Sequence, residues 1–462
     1  MPIDRREFSL GLLAQAAALG QTGQRGLKHF SEVSASLYAW DLADEGIEPV
    51  LETLQETTGA NSAYLVALMH QEKRPLTDFY YPHDPKRKTY FPEDSRVYWQ
   101  PHAESYRDTR IKPLTSDRAE FKDRDTLEML VKAARKAGWK TGAEISHTVL
   151  DLDRAAGDYA FAVQRDIYGH PLGQMICPNI PDSRAYVIGL FTDLVKNYDL
   201  DFVQTCLLPF VAGRLKASAG TRGLVYQMGT GSPGASVTAA ERILHVALGG
   251  CFCEHCAEAA KSHGLDLSAV RRNLLPVADM LDNARPAQIH EVAVLHASNT
   301  GAAAVLLRHP EIFEWLRFRA LTLTDFYRDI HAAVTRIRPS IDLRLNAFIA
   351  LDPELNGLDV HAMAPYLGSV RSSDYSEQRR STAAMEQKRQ YLLALRYAIG
   401  DEKPLISAIG IRPKATPELI RQGVVISREC GADGLGLGHY DGASLHLLKA
   451  IRSGIEDADA VI

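Results

Sequence analysis

From about residue 30 onward, short runs of apolar and β-branched residues alternate with longer stretches whose apolar positions recur at helical spacing. The pattern predicts strands over residues 35–41, 62–69, 140–146, 201–208, 342–349, 369–374, 405–409 and 434–440. Helices are predicted over residues 47–58, 125–137, 183–198, 312–337, 360–366, 382–399, 417–430 and 444–455. In the longest of these, Phe313, Leu316, Leu323, Phe326, Ile330, Val334 and Ile337 form the expected apolar stripe. Eight β/α units in series predict an α/β chain closed into a (β/α)8 TIM barrel.

Two connections are far longer than the roughly two to six residues usual for such loops. Residues 70–123 follow strand 2 and residues 209–310 follow strand 4, the latter holding a further helix over residues 267–281. Both leave the C-terminal ends of strands, the face on which barrel enzymes build their sites. No linker or tandem repeat divides residues 31–462, which read as one elaborated domain.

Residues 1–30 stand apart. Asp4-Arg5-Arg6-Glu7-Phe8-Ser9-Leu10, followed by an apolar stretch to Leu19, predicts a twin-arginine-type signal and hence a periplasmic or secreted protein. The 462 residues are 46% hydrophobic and 24% charged, enough for a large core. A net charge of −5 without a basic stripe argues against a nucleic-acid partner. No run of 18 apolar residues is present to span a membrane. Association with further copies of the chain is compatible with these features.

The predicted strand ends supply polar groups that would converge on one rim. They are Trp40 and Asp41, His70, Glu144 and His147, Gln204, Asn346, Asp374 and Tyr375, and His439, Tyr440 and Asp441. Arg412 follows strand 7 and suits a substrate oxygen or carboxylate. Facing carboxylates at a barrel rim are the apparatus of glycosidic cleavage, one protonating the leaving oxygen while the other activates water or attacks carbon. Taken singly, a strand-end acid is more often a structural hydrogen-bonding group. Glu144, His147, Asp374 and His439 also compose a mixed oxygen and nitrogen set for a divalent metal, provided the strand ends before His147. The loop after strand 2 carries Phe79, Tyr80, Tyr81, Tyr90, Phe91, Tyr98, Trp99 and Tyr106 with His83, His102 and Arg107. Such rings either stack on a sugar or fasten the loop to the barrel.

Cysteine chemistry is concentrated. Cys251-Phe252-Cys253-Glu254-His255-Cys256 places three thiols within six residues, and Cys206 stands upstream. Four thiolates at this spacing suit a closed structural zinc site of Cys206, Cys251, Cys253 and Cys256. Cys177 or His255 is an alternative fourth ligand, and a disulfide or free thiols are the competing states. Cys430 reads as core. No organic cofactor is expected.

Cys177-Pro178-Asn179-Ile180-Pro181, the cysteine run, Tyr80-Tyr81-Pro82-His83-Asp84-Pro85 and Tyr106-Arg107-Asp108-Thr109-Arg110-Ile111-Lys112-Pro113 resemble the uncharacterised bacterial glycoside-hydrolase-like barrels, the hypothetical glycosyl hydrolases and α-amylase-like proteins. The cysteine motif is also similar to that of family 42 β-galactosidases, which implies structural zinc on Cys206, Cys251, Cys253 and Cys256. One departure stands out. The fourth strand of related barrels commonly ends in an acid, whereas here it reads Phe202-Val203-Gln204-Thr205-Cys206-Leu207; strand 7 also lacks the glutamate nucleophile.

The expectation is therefore an exported carbohydrate-active barrel, a glycoside hydrolase with Glu144 and Asp374 as catalytic carboxylates and Asp441 as a third candidate. Trp40, Asp41, His70, His83, Tyr98, Trp99, His147, Gln204, Asn346, Tyr375, Arg412, His439 and Tyr440 would bind the sugar. A metal-dependent sugar isomerase, epimerase or lyase is the second reading, and a carbohydrate-binding barrel without catalysis the third.

Overall fold

The computed structural model describes residues 29–69, 90–93, 95–146, 149–205, 210, 243–244, 246–283, 302–347 and 353–460. Among the described residues, ten strands are β1 (Glu32–Leu37), β2 (Ser62–Leu68), β3 (Lys140–Ile145), β4 (Val163–Arg165), β5 (Pro171–Ile176), β6 (Phe202–Thr205), β7 (Asp342–Ala347), β8 (Ser369–Ser372), β9 (Leu405–Gly410) and β10 (Gly434–Gly438). Eight of them close into a barrel in the order β1-β10-β9-β8-β7-β6-β3-β2. Every barrel pairing is parallel, as β/α crossovers require. The predicted barrel is the observed one.

Local chemistry sets the helix ends. Asp125, Ser381 and Thr416 each accept a backbone N–H of the first turn that follows, and Pro181 and Pro417 occupy first-turn positions where no N–H is needed. The predicted stripe of the long helix needs correction at both ends. In Pro310–Ile337 the buried residues include Ile312, Trp315, Phe318, Arg319, Leu323, Phe326, Ile330 and Val334, while Phe313 is 53% and Ile337 41% exposed. Trp315 and Phe318 define the inward line of the first turns, and Phe313 lies off it.

Two further differences matter for function. The first strand ends at Leu37, earlier than residues 35–41 would allow, and Ala39–Glu45 is a helix. Asp41 Oδ2 accepts the Tyr38 amide at 2.8 Å, capping that helix, and Gly46 ends it at φ +92°. Trp40 and Asp41 therefore belong to a first helical turn at the rim. The second is the antiparallel hairpin β4–β5, inserted after β3 together with the helix Leu152–Ala156, a connection the periodicity had left unresolved.

The barrel interior is polar. At its N-terminal end Arg344 grips Glu32 through both carboxylate oxygens, at 2.7 and 3.2 Å, and lies 3.9 Å above the Phe202 ring. Strand β10 reads Gly434-Leu435-Gly436-Leu437-Gly438, and its glycines make the room for what projects from β8. A Cβ at Gly436 would lie 2.5 Å from Arg371 Nε, and one at Gly438 would lie 2.7 Å from Tyr375 Oη.

Candidate active site and a four-sulfur centre

Above the Arg344 layer, alternate residues of neighbouring strands bring a second set of side chains together. Glu144 on β3 and Gln204 on β6 are register partners, and Gln204 Nε2 donates to Glu144 Oε2. Arg371 on β8 donates to Asn346 Oδ1 at 2.8 Å, to Tyr375 Oη at 3.1 Å and to Gly436 O at 3.4 Å. The charges of Arg371 and Glu144 act on each other across the lumen. Ser36 Oγ lies 2.8 Å from His439 Nδ1.

Glu144 is 5% exposed, and burial pushes its carboxyl up to about 7, although Arg371 and the Gln204 amide pull the other way. Burial also opposes the charge on Arg371, but Tyr375, Tyr64 and Glu144 more than offset it, so the guanidinium stays protonated. The chamber thus holds a carboxyl poised near neutrality beside a fixed cation, the state a general acid needs.

The rim is an aromatic column. His439 stacks on Tyr38 at 4.9 Å, Tyr38 on Trp40 at 4.3 Å, and Trp40 on Tyr90 at 4.6 Å. Burial raises the Tyr38 hydroxyl well above its usual range; Arg412 counters this, and Asp441, Glu144 and Tyr375 reinforce it. One phenol therefore feels both Glu144 and Asp441. Arg412 Nη2 lies 3.8 Å from Asp441 Oδ1. Three buried atoms in this region, Gln204 Oε1, Arg371 Nε and Trp40 Nε1, have no hydrogen-bond partner among the described residues. Buried polar atoms are rarely left this way, and a ligand carrying both donors and acceptors would satisfy them.

The structure gathers Glu144, Gln204, Asn346, Tyr375, Arg412, His439, Asp441 and Trp40 at this mouth. It does not bring Asp374 there. That carboxylate accepts Ser376 Oγ at 2.8 and 3.0 Å and acts electrostatically on Glu377 and on Tyr391 of the outer helix Thr382–Ile399. With Arg371 inward, the strand alternation turns Asp374 outward. Asp41 is the helix cap already described, and Tyr440 Oη donates to Glu45 Oε2 at 2.8 Å, beside that helix. Trp99 and Tyr98, expected as sugar platforms, fasten the loop instead. Trp99 Nε1 donates to Asp193 Oδ2 on the outer helix Pro181–Asn197 at 3.0 Å, and Tyr98 packs edge-on against Phe121. His70, His83, His147 and Cys206 lie outside the described residues.

Sequence reasoning overlooked Arg371, Tyr38, Tyr64 and Ser36. A signal for Arg371 existed, because three alternate glycines on β10 leave one face bare and something bulky must fill it.

The cysteines form a separate centre. The sulfurs of Cys177, Cys251, Cys253 and Cys256 all lie within 4.8 Å of one another. Cys177 is 3.7 Å from Cys253 and 3.4 Å from Cys256, close to the ~3.8 Å edge of a tetrahedron with zinc–sulfur bonds of about 2.3 Å. All four are unbridged thiols. The Arg165 amide and Asn179 Nδ2 donate to Cys251 and Cys256 sulfur at 3.2 and 3.3 Å, the outer hydrogen bonds a metal-thiolate site uses. The fourth sulfur is Cys177, brought in by the hairpin: its amide bonds Ala162 O and Phe252 N bonds Arg165 O. His255 is exposed and outside the grouping. The donor set fits a structural metal such as zinc, which four sulfurs would enclose completely.

No helix among the described residues is long and apolar enough to cross a membrane. No family profile matches the chain, and no curated protein matches it. Solved structures do. The PgaB (BpsB) glycoside hydrolase domain from Bordetella bronchiseptica is similar with TM-score 0.53 and 14% identity, over 93% of this chain and 97% of that one. α-L-Fucosidase isoenzyme 2 from Paenibacillus thiaminolyticus has TM-score 0.53 and 14% identity, over 94% of this chain and 50% of that one. The β-galactosidase from the Antarctic haloarchaeon Halorubrum lacusprofundi has TM-score 0.54 and 11% identity, over 93% and 58% respectively. This chain thus spans almost all of the first solved chain, half of the second and 58% of the third. At these identities the likeness establishes the fold, a barrel of the kind on which glycoside hydrolases are built.

Proposed function

We propose that this protein cleaves glycosidic bonds, with Glu144 as the proton donor and Asp441 as the second carboxylate. The observation that carries this reading is Glu144 itself: buried, raised to about 7, and set opposite Arg371 in a lumen with unsatisfied polar atoms. A protonated Glu144 would deliver its proton to the leaving glycosidic oxygen. Asp441 would activate water or attack the anomeric carbon. Gln204, Asn346, Arg371 and His439 supply donors and acceptors for sugar hydroxyls, and the Tyr38–Trp40 stack forms the wall of the site. Asp374 has no part in this scheme. The four-sulfur centre would hold zinc as a brace, since its positions are filled by protein ligands. The Arg5-Arg6 motif with its apolar follow-on supports delivery across the inner membrane.

The test is a panel of aryl glycosides and oligosaccharides with product detection. Glu144→Gln should lower turnover by about 10²–10⁴ while ligand-induced stabilisation persists. Asp441→Asn should lose turnover as well. Stabilisation of the parent by a glycan without any product would make it a binding barrel, and full activity in Glu144→Gln would remove that residue from the chemistry.

A further inference from the structure

One buried cation joins the four-sulfur centre to the segments that leave the barrel's C-terminal face. Arg319 sits on the inward line of the helix Pro310–Ile337 and is 0% exposed. Its guanidinium lies 4.6 Å from the Trp315 ring, and Trp315 stacks on Phe252 at 4.2 Å. Phe252 is the residue between Cys251 and Cys253, so the sulfurs that flank it fix where its ring can stand. The Val246 carbonyl, just upstream, accepts both Trp315 Nε1 at 3.1 Å and Arg319 Nη2 at 3.5 Å.

On its other side Arg319 reaches the segment after β7. Nη1 donates to Leu355 O at 2.6 Å. Gly357, at φ +86°, passes so close that a Cβ there would lie 2.9 Å from the Arg319 carbonyl oxygen. Asn356 O in turn accepts the amide of Phe210, from the segment after β6, at 3.0 Å. A dication held by four thiolates carries a net negative charge, and a buried anion needs a cation beside it. Burial draws Arg319 down to about 9, while Cys251 and Cys256 favour its charge.

We propose that Arg319 is the counter-charge of a metal held by Cys177, Cys251, Cys253 and Cys256, and the strut through which that metal orders the segments after β6 and β7. The contact path from Phe252 through Trp315 and Arg319 to Leu355 carries the idea, independently of the glycoside reading. Metal loss would slacken the Cys251–Cys256 segment, shift Phe252 and release the guanidinium from the Val246 and Leu355 carbonyls.

Zinc competition against a chelating dye, with amide hydrogen exchange at Phe210 and Gly357, tests this on the full chain. Arg319→Met, with all four cysteines present, should hold zinc about tenfold or more weakly. Stripping zinc from the parent should speed exchange at both amides at least tenfold, and zinc should restore their protection. In Arg319→Met the two amides should exchange fast whether or not zinc is present. Arg319→Lys, which keeps the charge but loses the fork, should bind zinc nearly as the parent does and still exchange fast at Gly357. Parental zinc affinity in Arg319→Met would overturn the proposal. So would unchanged exchange in the stripped parent, a measurement that needs no variant to fold.

Discussion

Two buried carboxylates in this molecule live very differently. Asp193, on the outer helix, is 0% exposed and is encircled by donors: Trp99 Nε1 at 3.0 Å, Tyr106 Oη at 2.9 Å and Asn197 Nδ2 at 2.8 Å. His102 adds its amide at 3.2 Å and has its Nδ1 2.9 Å away. Glu144, inside the barrel, has one amide donor and a guanidinium across the lumen, and burial raises it to about 7. The lesson concerns satisfaction. A carboxylate ringed by donors ties elements together; one that burial raises, with a single amide donor, has a proton to give.

The contrast yields opposed phenotypes. Glu144→Gln should cost about three powers of ten in turnover and keep its fold. Next in size is metal retention. Cys177→Ser should abolish stoichiometric zinc and lower the unfolding temperature, while Cys206→Ser leaves zinc in place; metal analysis of the purified variants decides between the two ligand sets. Asp193→Asn should lose about 2–3 kcal/mol of stability in a denaturant titration, with catalytic parameters near parental. Gly436→Ala should cost about 1–3 kcal/mol by pressing a methyl onto Arg371. Because Arg371 holds Glu144 down, the same variant should move the alkaline limb of the pH–rate profile upward.

Much of the barrel was legible. Period-two runs separated by amphipathic helices placed all eight barrel strands, and the helices Ile47–Thr58 and Thr382–Ile399 match their predicted bounds. The failures have physical causes. Trp40 and Asp41 read as strand because the local pattern is apolar, but the Asp41 carboxylate caps its own backbone and starts a helix. Asp374 reads as a rim acid because it ends a predicted strand; counting by twos from the buried Val370 puts it on the outer face. Cys177 reads in sequence only as an alternative to Cys206, which lies outside the described residues, because Pro171–Ile176 is a short, partly exposed strand whose pairing with β4 no periodicity announces. Trp99 was misassigned because an aromatic loop looks the same in sequence whether its indole N–H meets a sugar or Asp193.

The most direct measurement is the unfolding free energy of the parent and of Glu144→Gln from about pH 4 to pH 8. A carboxyl raised from 4.5 to about 7 in the folded state contributes stability that is fully present below 4.5 and lost as pH rises through 7. The parent should therefore fall relative to Glu144→Gln by about 3 kcal/mol across that interval. Parallel curves, or a parent that gains stability with rising pH, would show an ordinary ionised carboxylate at Glu144 and contradict its assignment as the proton donor.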